Sequence, residues 1–265
     1  MQDMTFVCAD GGRLRYCTAG AGYPVVLIHG LGLDACMWEP QWPVLQREFR
    51  AIRYDIRGFG ASTVPEAPYS HSDDLLGLLD FLEARPAHVI GLSFGGRLAL
   101  RFALDHPNTV KSLTLIDSAL EGHSWSEDWN QKMNSVLSEA GRGDLKAAKQ
   151  LWLAHDLFAS ARRNVKLAAD LAVMVERYTA WHWWNPDPVR RSAVPTAKAL
   201  ATLQCPTLVL IGELDLPDFQ AIARRLAAEI PRATLHTIAG AGHMASMEAP
   251  DAVNARVLAH LRASA

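Results

Sequence analysis

A serine set between glycines, Gly91-Leu92-Ser93-Phe94-Gly95, is the group in this sequence best suited to covalent chemistry. A serine hydroxyl is a weak nucleophile until a base takes its proton, so the pentapeptide matters only if a histidine can join it. His243, in the glycine-rich run Gly240-Ala241-Gly242-His243-Met244, has that freedom. His29, His88, His106 and His236 read instead as loop, strand or helix-end residues. The base needs a carboxylate to orient it and to stabilise its protonated form. Asp215, three residues past Gly212, is the first choice; Asp117 and Asp218 compete, and Asp55 reads as the carboxylate that holds the Arg57-Gly58-Phe59-Gly60 turn. Acyl transfer also needs donors where negative charge develops, and the backbone N–H groups of Leu31 and Phe94 are the candidates. The chemistry implied is acyl transfer through Ser93.

These residues must be presented by particular elements. A serine on a sharp turn between a strand and a helix is displayed above the end of a sheet. The apolar run His88-Val89-Ile90 predicts that strand, and the helical spacing after Ser93 predicts a helix to about His106. Residues 4–18 alternate as a hairpin, and Pro24 to Ile28 is a strand buried on both faces that ends at His29-Gly30-Leu31-Gly32. A helix from Trp42 to Phe49, a strand from Ala51 to Tyr54 and a capped helix over 72–84, starting at Ser72-Asp73-Asp74, come before the Ser93 strand. Beyond its helix the pattern predicts a strand from Val110 to Ile116 and another from Thr207 to Ile211. A helix from Phe219 to Ile230, a strand from Thr234 to Ile238 and a helix from Pro250 to Arg262 follow. Such alternation predicts a mostly parallel sheet covered on both faces.

The alternation stops between about Ala119 and Pro195, where helical spacing takes over and six of the eight tryptophans occur. The expected organisation is a core over 1–118, a helical lobe over 119–196 and the rest of the core over 197–265. The aromatic residues either pack the lobe onto the core or line an apolar pocket beneath it. Trp125, Trp129, Trp152, Trp181 and Trp184, with Met244, are the pocket candidates, and at least one tryptophan is expected to reach substrate. Trp183 belongs to the same cluster.

Composition narrows the partners. A net charge of -2 gives no reason to expect nucleic acid or an acidic membrane surface. No apolar run approaches the ~20 residues of a membrane helix, and the start Met1-Gln2-Asp3-Met4-Thr5 lacks the pattern of a secretory signal, so a cytoplasmic location is expected. Cys8, Cys17, Cys36 and Cys205 form no C-x-x-C pair and no metal spacing. Cys8 is expected opposite Arg13 or Arg15 across the Asp10-Gly11-Gly12 turn, which keeps it apart from Cys17; Cys36 lies close to the loop proposed to hold the oxyanion. No lysine follows a glycine loop in the Walker pattern, and Gly91 to Gly96 lacks the central glycine of a dinucleotide fingerprint. A small molecule is therefore the expected partner, with no cofactor and no metal.

His29-Gly30-Leu31-Gly32, Asp55 to Gly60, Gly91 to Gly96, Gly212 to Asp215 and Gly240 to His243 together resemble the α/β-hydrolase family over nearly the whole chain. The resemblance implies a mostly parallel eight-stranded sheet flanked by helices, with a helical cap inserted after strand 6. It also implies a catalytic triad in the chain order Ser93, Asp215, His243. The chain looks most like capped serine esterases and lactonases, enol-lactonase-like members included. Serine at position 93 speaks against the relatives with a nucleophilic aspartate, haloalkane dehalogenases and epoxide hydrolases. The meta-cleavage C–C hydrolases share the triad, but many carry tryptophan where this chain has Met244. Cofactor-free perhydrolases also share it, and some proteins of the fold keep it as small-molecule sensors. The activity expected is hydrolysis of a carboxylic ester or lactone.

Overall fold

A computed structural model describes residues 4–264; the first three residues of the N-terminal segment weighed above as a secretory signal lie outside the described residues. The chain opens with an antiparallel hairpin, β1 (Met4–Val7) and β2 (Arg13–Ala19). Val7 pairs with Arg13 and the Cys8 N–H donates to the Gly12 carbonyl, so Cys8 sits opposite Gly12 and not opposite an arginine. Gly11 turns with φ 85° and sets that register. Cys8 and Cys17 are not joined in a disulfide, in keeping with the expectation that they stay apart.

Six further strands follow: β3 (Pro24–Ile28), β4 (Arg50–Tyr54), β5 (Ala87–Leu92), β6 (Val110–Ile116), β7 (Thr207–Gly212) and β8 (Ala233–Ile238). They form one eight-stranded sheet in the order β1-β2-β4-β3-β5-β6-β7-β8, antiparallel at β1/β2 and β2/β4 and parallel elsewhere. Every residue of β5 and of β7 is buried, because helices cover both faces of the sheet and leave no polar side to the strand. From β3 the chain passes to β4 on one side and then to β5 on the other. The strand order therefore reverses between β3 and β5, and a crevice opens at their carboxyl ends.

The helices of the first half are α1 (Trp42–Leu45), α2 (His71–Phe81) and α3 (Phe94–Asp105). The first is shorter than the spacing predicts: Phe49 turns inward, buried, and its N–H closes on the Leu45 carbonyl just before β4 begins. The second begins one residue earlier, at His71, since Ser70 and not Ser72 supplies the cap, accepting from the Asp73 N–H at 3.2 Å. The Ser72 hydroxyl donates instead to Asp105 at 2.8 Å. The same helix ends at Phe81, because Glu83 turns left-handed with φ 50°.

Between β6 and β7 lie four helices, α4 (Glu127–Gly141), α5 (Leu145–Ala154), α6 (Val165–Arg177) and α7 (Trp181–Trp184). Buried residues of this stretch, among them Val136, Trp152, Leu171 and Trp183, are continuous with the core of the sheet. The last part adds α8 (Pro217–Glu229), α9 (Ala245–Glu248) and α10 (Pro250–Ala263). No helix among the described residues is long and apolar enough to cross a membrane.

Candidate active site

Ser93 stands between β5 and α3 with φ 55° and ψ -114°, a backbone conformation that costs of order 1–3 kcal/mol and persists only when its surroundings enforce it. They do so from both sides. Its N–H donates to the Ile116 carbonyl at 3.0 Å and its carbonyl accepts from Ala119 at 3.0 Å, so the end of β6 clamps the turn. A Cβ on Gly91 would lie 2.3 Å from the Gly95 carbonyl oxygen, and one on Gly95 would lie 2.1 Å from that of Ile28. Gly96 gives clearance to Ser118, just beyond β6: a Cβ there would lie 2.3 Å from its hydroxyl oxygen.

β8 and the loop after it bring His243 to this turn. His243 Nδ1–H donates to Asp215 Oδ2 at 2.9 Å, and an ionised carboxylate can only accept. The Nε2 lone pair is thereby free to accept from the Ser93 hydroxyl, which lies 2.9 Å away. All three side chains are buried. Asp215 is turned toward the histidine by its own loop, where Oδ1 accepts from the Leu216 N–H at 2.7 Å. Glu248 holds the histidine loop on both sides, accepting from the N–H groups of Gly242 at 2.9 Å and Met244 at 3.0 Å. The imidazole packs on Phe219, ring centroids 4.2 Å apart.

The two rival carboxylates do other work. Asp117 Oδ1 accepts from the Gly212 N–H at 2.7 Å and Oδ2 from that of Ala245 at 3.1 Å, so it ties together the loops that carry Asp215 and His243. Its complete burial, with the Asp215 charge nearby, raises its pKa well above the usual carboxylate range. Asp218 accepts from Ser126 Oγ at 2.6 Å and pairs with His123. Asp55 accepts from the N–H groups of Ala35 and Ala61, which pins its own turn as expected.

The loop after β3 closes the third side. His29 is fully buried, and burial lowers its pKa. Its Nε2 accepts from the Ile56 N–H at 2.9 Å, which fixes the proton on Nδ1, and Nδ1–H donates to the Gly30 carbonyl at 2.9 Å. His29 thus shapes the loop. A Cβ on Gly30 would lie 3.7 Å from Ser93 Cβ, so the loop passes directly beside the serine. Neither the Leu31 nor the Phe94 backbone N–H donates to a backbone acceptor among the described residues. A hydrogen-bonded Ser-His-Asp chain beside two such donors can transfer an acyl group.

A small apolar cavity, of about 10 Å³, adjoins Ser93 and His243, lined by Leu31, Leu33, Leu92, Trp152, Leu157, Phe158 and Met244. Of the pocket candidates, Trp152 and Met244 border it; the other four do not. Trp125 and Trp129 stack on each other at 4.5 Å and pack edge-on against Phe219, backing the histidine from behind. Trp184 is 54 % exposed and points away from the core, whereas its neighbour Trp183 is buried. Trp181 packs on His182. The four-residue α7 is too short to turn every ring inward. Leu157, Phe158, Phe219 and Glu248 were not singled out from sequence. Only Glu248 carried a local signal, a carboxylate five residues past the histidine; the others come into place through packing between distant segments. Cys36 is half-buried, and burial together with Asp34 raises its thiol pKa.

The model of the α/β-hydrolase fold matches residues 23–250, most of the sequence. The chain belongs to the α/β-hydrolase fold family. Within that family it is 31 % identical over 255 residues to the 2-hydroxymuconate semialdehyde hydrolase of Pseudomonas sp. (strain CF600), covering 91 % of this chain and 88 % of that protein. The crystal structure of the enol-lactonase from Burkholderia xenovorans LB400 superposes with a TM-score of 0.82 at 28 % identity, over 98 % of this chain and 100 % of that one. A thermophilic esterase from Thermogutta terrifontis superposes with a TM-score of 0.81 at 26 % identity, over 100 % and 99 % of the two chains. These α/β-hydrolase relatives are named as a semialdehyde hydrolase, an enol-lactonase and an esterase.

Proposed function

We propose that this α/β-hydrolase cleaves a carboxylic ester or lactone through an acyl-enzyme on Ser93. The observation that carries the reading is the buried chain from Ser93 Oγ to His243 Nε2 and from His243 Nδ1 to Asp215 Oδ2, both steps 2.9 Å. As Ser93 Oγ attacks the carbonyl carbon, its proton passes to His243 Nε2 and the carbonyl π electrons move onto oxygen. Asp215 stabilises the imidazolium, and the Leu31 and Phe94 N–H groups hold the oxyanion. Collapse breaks the C–O bond; His243 returns the proton to the leaving alkoxide, which in a lactone stays tethered to the acyl group. Water then adds to the acyl-enzyme with His243 as base, and the acid leaves as Ser93 regains its proton.

The helices between β6 and β7 act as the cap in this reading, with Trp152 bounding the substrate space. A small apolar cavity favours a compact aliphatic or aromatic acyl or alcohol group over a long chain. A second reading, hydrolysis of a C–C bond in a vinylogous diketone, draws on the likeness to the semialdehyde hydrolase. Both readings use the same serine and histidine.

Steady-state assays on p-nitrophenyl esters of rising chain length, aryl esters, small lactones and one meta-cleavage dienoate test the proposal. The expected result is turnover of short or aromatic esters or lactones, with kcat reduced roughly 10⁴-fold or more in Ser93→Ala. Turnover of the dienoate alone would move the assignment to C–C hydrolysis. Faster turnover of long-chain than of short esters would overturn the pocket argument.

A further inference from the structure

A second cleft, of about 120 Å³, opens where the start of α2 meets α3 and the loop between α7 and β7. It shares no lining residue with the cavity beside Ser93. Its wall carries four arginines, Arg97, Arg101, Arg190 and Arg191. Two are already paired: Arg101 grips Asp105 with Nε at 3.0 Å and Nη2 at 2.5 Å, and Arg190 pairs with Asp73 at 2.9 Å. The other two guanidiniums have no carboxylate partner among the described residues. That of Arg97 lies over the Phe94 ring, 4.6 Å from its centroid.

The acids of the cleft are engaged elsewhere. Besides Arg101, Asp105 accepts from the Ser72 hydroxyl at 2.8 Å. Glu121 accepts from the Thr196 hydroxyl at 3.0 Å, and Asp187 from the Val189 N–H at 3.2 Å. Burial depresses the Arg97 pKa; Arg191 adds to that depression, while Glu121 and Asp187 oppose it through space alone. A partly buried guanidinium with no hydrogen-bonded counter-charge is costly, and an anion that fits its planar fork removes the cost. His71 and Ser72, the first two residues of the eleven-residue α2, also line the cleft and bring the positive end of the helix dipole to it.

We propose that this cleft binds a small oxyanion, a carboxylate or phosphate group, held between Arg97 and Arg191 at the start of α2. The site is independent of the hydrolytic reading, since it uses none of the groups that reading invokes.

The test titrates the full chain with sodium phosphate and, separately, with sodium acetate, at an ionic strength held constant with sodium chloride. Calorimetry and thermal melts give the readout. Saturable binding of at least one anion is expected, with a rise in Tm, and with affinity lowered roughly tenfold in both Arg191→Ala and Arg97→Met. Arg191 is exposed, so its variant tests the site without touching the core. Methionine at 97 keeps an unbranched stem against Phe94; should that variant fail to fold, the Arg191→Ala arm decides. Phosphate binding without acetate binding assigns a phosphate ligand, and acetate binding assigns a carboxylate. No saturable binding of either anion, or unchanged affinity in a folded variant, would overturn the proposal.

Discussion

At the scale of single residues, the proposed chemistry depends on which atom of His243 carries the proton. The acceptor-only carboxylate of Asp215 keeps it on Nδ1 and leaves Nε2 to Ser93. Asparagine at 215 can present its NH2 to Nδ1 and favour the opposite tautomer, so Asp215→Asn is expected to lower kcat by roughly 10⁴-fold with little change in KM or in Tm. Steady-state kinetics beside a thermal melt checks this; near wild-type turnover would remove Asp215 from the mechanism. Sequence motifs pointed to Ser93, His243 and Asp215 because each needs a particular local backbone. They could not choose among the tryptophans, since whether a ring faces the cavity or solvent depends on how α5 and α7 are rotated.

Elements set the distances between those residues. β5 and β7 end side by side with β6, and Asp117 at the end of β6 ties the Asp215 and His243 loops to one another. The turn after β5 is clamped just as closely, and its glycines mark where. Ala at position 95 would place a Cβ 2.1 Å from the Ile28 oxygen and 2.5 Å from the His29 oxygen, both backbone atoms of β3 and its loop. Gly95→Ala is expected to cost about 2–4 kcal/mol, because neither backbone can yield without moving the sheet. Gly141→Ala, at the end of α4 where a Cβ meets nothing within 4 Å, is expected to be neutral or stabilising by about 0.5 kcal/mol. Urea denaturation of the pair reads the contrast, and equal effects would refute the close-approach argument.

Over the whole molecule, burial stores a response to acid. Burial pushes the imidazoles of His88, His155 and His182 down to about 4 from an ordinary 6.5. Between those values the unfolded chain binds protons that the folded chain refuses. Stability is therefore full above about pH 6.5 and falls as the pH drops toward 4. Melting curves across that window should show Tm decreasing with acid, less steeply in His88→Gln; a flat profile would contradict the assignment. The sequence by itself determined the alternation of strand and helix, the family, and the glycine, serine, aspartate and histidine positions of the candidate site. Those features rest on local backbone needs and on periodic burial, which neighbours along the chain record. Only the tertiary structure decided that Asp117 braces two loops, that Trp152 and Met244 and not Trp181 or Trp184 border the cavity, and that two unpaired arginines share a cleft. Each of these depends on segments far apart in the chain meeting at one rotation and one distance, and no local pattern encodes that.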